Sequence, residues 1–415
     1  MNAVERAMLY AMPLLLVIAE VVALATDRSV APHHALNPLN YQPVFVATGV
    51  VVTLMTTRRA EVKPVLIVGL LFEAVRLAFL ARHGVGLADT IWSSGLGFWY
   101  AALAVGGLQV LRSRGAARWR ALDDVAIKFA LPISIPLMGF ALWMTTVSLT
   151  EVYDAYYYAF DGLLPVPMAR IVAQAFVTTP LLSSTMFIAY HSLIAVMGLY
   201  IVLQRGPDGR LSGYLLSRWL IAGCLGYVFY YLMPGIGPRA ALGVMWPTRM
   251  PDPNTIPLAV IANFTDAPRN LMPSLHMTWA LLIAMAAARI GLAARIGAWV
   301  FVAATFASTL GLGEHYLVDL IVAVPFTVAV HGLASVTGAC KRWRARAFSA
   351  AGGLAMTVGW LLAIRYGTDY LRGMPWLASA MVLVTIAASV GLLLLPRLGR
   401  PVFRAAPALP RMRTA

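Results

Sequence analysis

His315 and Asp319 stand four residues apart and form the pair in this sequence with the most specific chemical meaning. Residues four apart on a helix share one face, so the carboxylate can accept a hydrogen bond from one imidazole nitrogen. That bond fixes the ring tautomer and leaves the other nitrogen as a nucleophile or a base. A simple helix-end pair is the alternative interpretation of the same spacing.

A second histidine, His276, follows Pro273, Ser274 and Leu275. Proline fits the first turn of a helix, and a helix start offers unpaired N–H groups that favour phosphate. The Ser274 hydroxyl would add a hydrogen-bond donor there. The alternative is an interfacial histidine beside a helix cap.

Arg239 is the third candidate and follows a glycine- and proline-rich segment, 234–238. A guanidinium can hold two phosphoryl oxygens at once and neutralise charge that builds up in a transition state. An arginine that merely reaches toward the membrane interface is the competing interpretation.

Apolar helices must position these residues, because the 415-residue chain is 60% hydrophobic and only 12% charged. Repeated apolar runs have the length of about 20 residues that crosses a bilayer. The sequence therefore predicts an all-α, polytopic membrane protein with about twelve transmembrane helices. The predicted spans are 7–26, 41–57, 64–81, 89–111, 127–149, 181–203, 219–236, 274–290, 296–312, 315–337, 348–364 and 375–396.

Loop charge predicts the orientation. The net charge of +15 would suggest a nucleic-acid partner in a soluble protein, but the basic residues gather in alternate loops, as membrane insertion explains. We therefore expect no nucleic-acid partner, and we expect both termini in the cytoplasm of a bacterial-type inner (plasma) membrane. His276, His315 and Arg239 then fall together on the outer (periplasmic) face. Cys224 and Cys340 are the only cysteines, and no disulfide or metal-ligand spacing is expected.

Two outer connections are long. The first, 151–180, holds four tyrosines, for which anchoring at the headgroup boundary is the default interpretation, and a stretch from Pro167 to Val177 that favours a short interfacial helix. The second, 237–272, is rich in proline and leads into His276. The first span resembles a signal peptide faintly, and we interpret it as a retained anchor.

Taken together, these motifs resemble the type 2 phosphatidic acid phosphatase superfamily, and within it the inositol phosphorylceramide synthase branch. The resemblance lies in 230–239, in Pro-Ser-Leu-His at 273–276 and in His-Tyr-Leu-Val-Asp at 315–319. It implies a six-helix catalytic core at 126–340. Residues 1–125 would be accessory helices, and 341–415 would be two more helices with a basic cytoplasmic tail.

The resemblance also implies roles for individual residues. His315 would attack phosphorus and form a phosphohistidine, Asp319 would orient its ring, and His276 would protonate the leaving oxygen. Arg239 and Ser274 would hold phosphate oxygens. The family uses no metal or other cofactor for this chemistry.

The sequence departs from the phosphatase pattern at three places. It has no convincing lysine in the first motif, it has Leu275 where phosphatases carry glycine, and it has Thr309 where they carry arginine. These departures favour the synthase branch.

The leading hypothesis is a phosphotransferase that moves a phosphoryl headgroup from a lipid phosphoester to an alcohol or lipid acceptor. A lipid phosphate or pyrophosphate phosphatase of the same superfamily is the first alternative. A twelve-span transporter is the alternative from another class, although such folds usually show related halves and binding groups near the midplane.

Overall fold

The fold was analysed in a computed structural model, which describes residues 3–25, 59–84, 96–204, 211–263, 265–336 and 343–395. These residues form helices almost throughout, which confirms the all-α class. The helices are α1 (Ala3–Ala25), α2 (Arg59–Arg82), α3 (Leu96–Arg112), α4 (Gly115–Ser148), α5 (Asp154–Asp161), α6 (Met168–Thr178), α7 (Pro180–His191), α8 (Leu193–Leu203), α9 (Tyr214–Leu232), α10 (Pro238–Leu242), α11 (Leu275–Ala287), α12 (Leu292–Gly311), α13 (Leu317–Val336), α14 (Trp343–Leu362), α15 (Thr368–Arg372) and α16 (Pro375–Leu394).

The predicted twelve-span count is not confirmed. Among the described residues, six helical segments are long and apolar enough to cross a membrane, and up to eight are if each of two bent pairs counts as one span. One bent pair is α6 and α7, which meet at 117°. The predicted span 181–203 is divided between α7 and α8, and the predicted span 41–57 lies outside the described residues.

Helix α13 lies at the centre of the fold and packs against α9, α11, α14 and α16. Small residues allow α13 and α14 to approach closely: a Cβ on Gly353 would lie 2.6 Å from the Ala329 nitrogen, and one on Gly332 would lie 2.7 Å from the Ala350 nitrogen. This contact fixes the axis of the helix that carries Asp319.

Two stacked tryptophans tie α9 to α11. The rings of Trp219 and Trp279 lie 3.9 Å apart and nearly parallel, and both are almost fully buried. Trp219 donates its indole N–H to Ser134 of α4, and Trp279 donates to the Trp219 carbonyl. Because both polar atoms are satisfied, these large side chains are buried without an unpaired donor.

The two long connections meet above the helices at the end that carries His276 and His315, which we call the motif end. Two-residue strands β1 (Glu151–Val152) and β2 (Ile261–Ala262) pair antiparallel, and Asn263 donates its N–H to the Thr150 carbonyl at 2.7 Å. The predicted interfacial helix, Pro167 to Val177, is present as α6, which begins and ends one residue later than predicted. The connections therefore form one structured cover over the motif end.

The tyrosine cluster packs inside this cover, so the anchoring interpretation is wrong for its most buried member. Tyr157 is fully buried and donates its hydroxyl to the Met233 carbonyl at 2.7 Å. Tyr156 and Tyr158 donate to the carbonyls of Leu258 and Pro251 in the second connection. The tyrosines therefore join α5 to the end of α9 and to the second connection.

Candidate active site

His315 and Asp319 lie together at the start of α13, and both are buried. Nδ1 of His315 is 3.5 Å from Oδ2 of Asp319, a separation that is long for a hydrogen bond. Catalytic hydrogen bonds of this kind commonly shorten when substrate binds. The helix begins only at Leu317, so His315 lies in the preceding turn, whereas the spacing argument placed both residues on one helix.

The backbone around this pair is well fixed. Asp319 Oδ2 accepts the Tyr316 N–H at 2.9 Å, and the N–H groups of Glu314 and His315 both point to the Thr309 carbonyl, at 3.1 and 3.3 Å. Asp319 Oδ1 and His315 Nδ1 are buried and have no hydrogen-bond partner among the described residues. Buried polar atoms are rarely left unpaired, so these two atoms mark a place where a side chain could share a proton during a reaction.

The second motif touches the third directly. Ser274 caps α11 by accepting the Met277 N–H, and its own N–H donates to the Asp319 carbonyl at 3.3 Å. Ser274 is fully buried, and its hydroxyl hydrogen remains available to a ligand after the cap is made. The predicted helix start at this motif is therefore confirmed, although α11 ends three residues before the predicted span does.

His276 lies in the first turn of α11 and is held by stacking. Its ring lies 4.0 Å from the Tyr190 ring of α7, with an angle of 16° between the two planes. The N–H of Ser274, two residues before His276, donates to the Asp319 carbonyl, which holds the start of α11 against the start of α13. The structure thus brings the two predicted histidines to one site, with α7 supplying an aromatic support that sequence reasoning missed.

Arg239 reaches the same site through its backbone, and its side chain is exposed. Its N–H donates to the Gly313 carbonyl at 3.0 Å, two residues before His315. Glycines make this approach possible, since Gly237 has a φ of +85° and a Cβ there would lie 2.6 Å from the Glu314 carbonyl oxygen. Gly313 has a φ of +74°, and a Cβ there would lie 2.7 Å from the Arg239 Cβ.

Two carboxylates of α5, one buried and one partly buried, position these motifs, and the sequence analysis did not single them out. Asp154 accepts the N–H groups of Ile236 and Gly237, each at 3.0 Å, and the Tyr316 hydroxyl at 3.2 Å. Asp161 accepts the N–H groups of Leu317 and Val318 at 2.7 and 2.9 Å, and so caps α13. Two acids seven residues apart, and therefore on one helix face, were the signal available in the sequence.

Burial changes the protonation of these groups. It raises the pKa of Asp154 to about 7 and that of Asp161 to about 8, against the N–H donors that favour the charged forms. For His315, which precedes the first residue of α13, burial lowers the pKa to about 4, while Glu314 and the Leu271 carbonyl act in the opposite direction. The His315 ring is therefore neutral near pH 7, the form that a nucleophile needs.

Arg269 is a further structural residue that the sequence did not reveal. It is buried and donates through its guanidinium to the carbonyls of Asn263, Thr265, Ala267 and Leu149. A positive charge that is removed from water is tolerated when its N–H donors form hydrogen bonds in this way. The arginine fixes the segment that leads into the second motif.

The departures from the phosphatase pattern have structural counterparts. Leu275 is buried and packs against Gly226 of α9. A Cβ added to Gly226 would lie 2.7 Å from the Cδ2 methyl of Leu275. Thr309 is fully buried and donates its hydroxyl to the Thr305 carbonyl at 2.8 Å. The position that carries arginine in phosphatases is therefore closed to a charged side chain in this chain.

A cavity of about 280 Å³ adjoins the site between α5, α6 and the second connection. Tyr316 and Leu317, which follow His315, form one wall, and Trp246 and Met168 are among the apolar residues that line the rest. Asp161, Arg170 and Asp252 are its charged lining residues. Among the residues that the structure describes, no group of three or more His, Cys, Asp or Glu side chains is arranged to hold a metal ion.

Comparison with known proteins supports the superfamily. Residues 156–333 match the family model described as the PAP2 superfamily. No curated protein and no solved structure matches the chain. The match contains every predicted site residue, and it suggests phosphatase or phosphotransferase chemistry on lipid phosphates at a bilayer.

Proposed function

We propose that the chain is a membrane phosphotransferase that moves a phosphoryl headgroup from a lipid phosphoester to an alcohol or lipid acceptor, as inositol phosphorylceramide synthases do. The observation that carries the proposal is the buried pair of His315 and Asp319, 3.5 Å apart, with Ser274 bonded to the Asp319 backbone. The match to the PAP2 superfamily over this segment supports the same chemistry.

In the first step, the unprotonated Nε2 of His315 attacks phosphorus. A P–N bond forms, the P–O bond to the leaving alcohol breaks, and His276 gives its proton to that oxygen. Asp319 would hold Nδ1–H and stabilise the positive charge that develops on the ring. Arg239 and the Ser274 hydroxyl would hold the remaining phosphoryl oxygens.

In the second step, His276, now neutral, takes the proton of the acceptor hydroxyl. That oxygen attacks phosphorus, the P–N bond breaks, and His315 is restored. One nucleophile therefore serves both halves of the reaction, and His276 acts once as acid and once as base.

The buried Thr309, at the position where phosphatases carry arginine, supports a donor with few charges at phosphorus. A dianionic monoester needs several fixed cations, whereas a phosphodiester carries a single negative charge. Among the described residues of the three motifs, Arg239 is the only lysine or arginine. The mainly apolar lining of the cavity beside Tyr316 and Leu317 supports an acceptor with an apolar body, and exclusion of water there would favour transfer over hydrolysis.

We place the site at the outer face of the membrane with both termini in the cytoplasm. Basic residues support this orientation, because Arg289, Arg295, Arg344 and Arg346 lie at the helix ends remote from His315. The core would comprise residues 126–340, with accessory helices before and after it.

The test is product analysis with the purified chain in mixed-lipid vesicles. A donor lipid with a labelled phosphate should pass the label to a hydroxylated lipid faster than to water, and brief incubation should trap an acid-labile phosphoprotein. His315→Asn should abolish both signals, while His83→Asn, which changes an exposed histidine outside the three motifs, should leave them intact.

Hydrolysis is the second candidate, because the superfamily match covers phosphatases as well. If the labelled phosphate or headgroup passes to water across a broad panel of acceptor lipids, the hydrolase replaces the transferase. If no donor lipid loses its label at all, the enzyme proposal fails and the transporter alternative gains support.

A further inference from the structure

A second cavity, of about 530 Å³, lies at the opposite end of the bundle from His315. It is enclosed by the starts of α9 and α14 and by the ends of α11, α13 and α16. We call it the arginine cavity, since Arg289 and Arg346 line it beside Tyr214, His331 and Ser349. No residue of the proposed reaction lies here.

Positive charge is concentrated at this cavity. The guanidinium carbons of Arg218 and Arg289 lie 3.5 and 4.3 Å from the centre of the same Tyr214 ring. The ring stabilises each cation but does not cancel its charge. Among the described residues that line the cavity, none is a carboxylate.

Arg218 already forms several hydrogen bonds within the protein. Arg218 is buried and donates to His331 Nδ1 at 3.2 Å, to the Tyr214 carbonyl at 2.6 Å and to Ser335 at 2.8 Å. These bonds fix its charge beside Tyr214 and His331, which line the cavity, although Arg218 itself does not line it. Arg289 and Arg346 are better placed to contact a ligand, because Arg289 is exposed and the buried Nε of Arg346 has no hydrogen-bond partner among the described residues.

The opposite wall of the cavity is apolar. Met285 and the segment Val390 to Leu394 of α16 supply it, and Val390 and Leu394 are also exposed on the outer surface of the bundle, at 49% and 42%. A ligand seated here would have a charged group near the arginines and an apolar part along α16. Lipid phosphoesters have this composition.

We propose that the arginine cavity binds the phosphate of an anionic lipid from the membrane leaflet opposite the proposed active site. The site is a binding site and not a second reaction centre, because it lacks a histidine and carboxylate pair among the described residues that line it. Guanidinium groups are suited to phosphate oxygens, and basic pockets between helices are a known mode of headgroup binding.

The experiment compares two double variants that lose equal charge. Arg289→Gln with Arg346→Gln removes the two lining arginines, and Arg295→Gln with Arg344→Gln removes two exposed arginines that do not line the cavity. Each full-length protein carries His315→Asn to prevent turnover, and is placed in phosphatidylcholine vesicles with a trace of photoreactive phosphatidylglycerol. Retained lipid is counted by native mass spectrometry, and crosslinked peptides are mapped.

We expect the parent and the exposed double variant to retain phosphatidylglycerol with crosslinks at α11, α13 or α14, and the cavity double variant to bind roughly tenfold or more weakly. Equal retention by the two double variants would overturn the proposal. Should the cavity double variant fail to fold, Arg346→Gln alone and the crosslink map of the parent decide, and crosslinks confined to the motif end would overturn it.

A parallel arm with inorganic phosphate separates the two sources of the ligand. Phosphorus NMR line broadening that depends on Arg289 and Arg346, without any retention of phosphatidylglycerol, would replace the lipid by free phosphate. Competition by phosphatidylglycerol at a concentration at which inorganic phosphate has no effect would support the lipid.

Discussion

Asp161 offers the sharpest test of how the site is held together, because its carboxylate caps α13 from another part of the chain. Asp161→Ala removes the acceptor of the Leu317 and Val318 N–H groups, and Val318 is fully buried. A buried donor left unpaired costs about 1–3 kcal/mol, so the free energy of unfolding should fall by roughly 2–5 kcal/mol. Because the pKa of Asp161 is raised to about 8, the group is largely uncharged at pH 7, and its removal relieves little charge burial.

The activity of the same variant should fall through kcat. Loss of the cap frees the turn that sets His315 against Asp319, and a misplacement of about 1 Å can cost on the order of a hundredfold. KM should change little, since Asp154 still holds the turn before Arg239. The assay pairs thermal unfolding in detergent micelles with initial rates of label transfer.

Asp252→Ala is the matched control for this prediction. Asp252 borders the same cavity and also accepts a backbone N–H, from Asn254 at 3.0 Å, but that bond is exposed. The control should lose about 0.5 kcal/mol or less. Equal melting temperatures and equal kcat in the two variants would refute the proposed role of Asp161.

Three further predictions follow from the site and from the topology. His315→Asn and Asp319→Asn should each lower the transfer rate by orders of magnitude, and the double variant should be no worse than His315→Asn, because both act through one ring; additive losses would contradict this. A cysteine at the exposed position Asn254 should react with an impermeant thiol reagent on intact cells, and labelling only after lysis would invert the orientation. Burial raises the pKa values of Asp154 and Asp161 to about 7 and about 8, so the folded protein keeps protons that the unfolded chain loses near pH 4. The lowered pKa of His315 acts in the opposite direction between about pH 4 and 6.5, so stability should fall most clearly as pH rises from about 6.5 to 8. A melting temperature that does not change over that window would contradict the two shifts.

The sequence predicted three of the long helices well where apolar length was decisive. The observed α12, α13 and α16 agree with their predicted spans to within four residues at each end. The spacing in the second and third motifs also predicted that Ser274 would begin a helix and that His315 would lie near Asp319. These features depend on short-range geometry, which a sequence carries directly.

Breaks within apolar runs were harder to predict. The run 181–203 contains no proline or glycine at the point where α7 gives way to α8, so hydropathy indicated one span. The 117° bend between α6 and α7 follows from the packing of both helices against α12, a tertiary contact. Hydropathy measures the length of an apolar run but not the direction of the helices within it. The number of membrane spans could therefore not be predicted accurately from hydropathy alone.

The long-range supports of the site could not be predicted from spacing. Asp161 bonds to residues 156 and 157 positions later, and Tyr190 stacks on His276 from another helix. No short-range rule connects such pairs. The acid at each end of the segment Asp-Ala-Tyr-Tyr-Tyr-Ala-Phe-Asp was visible, but its partners were not.

Helix α5 links two of the three motifs of the proposed site. Its two acids are seven residues apart, which separates them by about 10 Å along one helix face. Asp154 holds the turn that precedes Arg239, and Asp161 holds the helix start that follows His315. The cation that would bind phosphate and the imidazole that would attack it are therefore positioned by the same eight-residue helix. A displacement of α5 would move both groups relative to α11, where Tyr190 stacks on His276, so the distance from the proposed nucleophile to the proposed general acid should depend on the packing of α5 on α13.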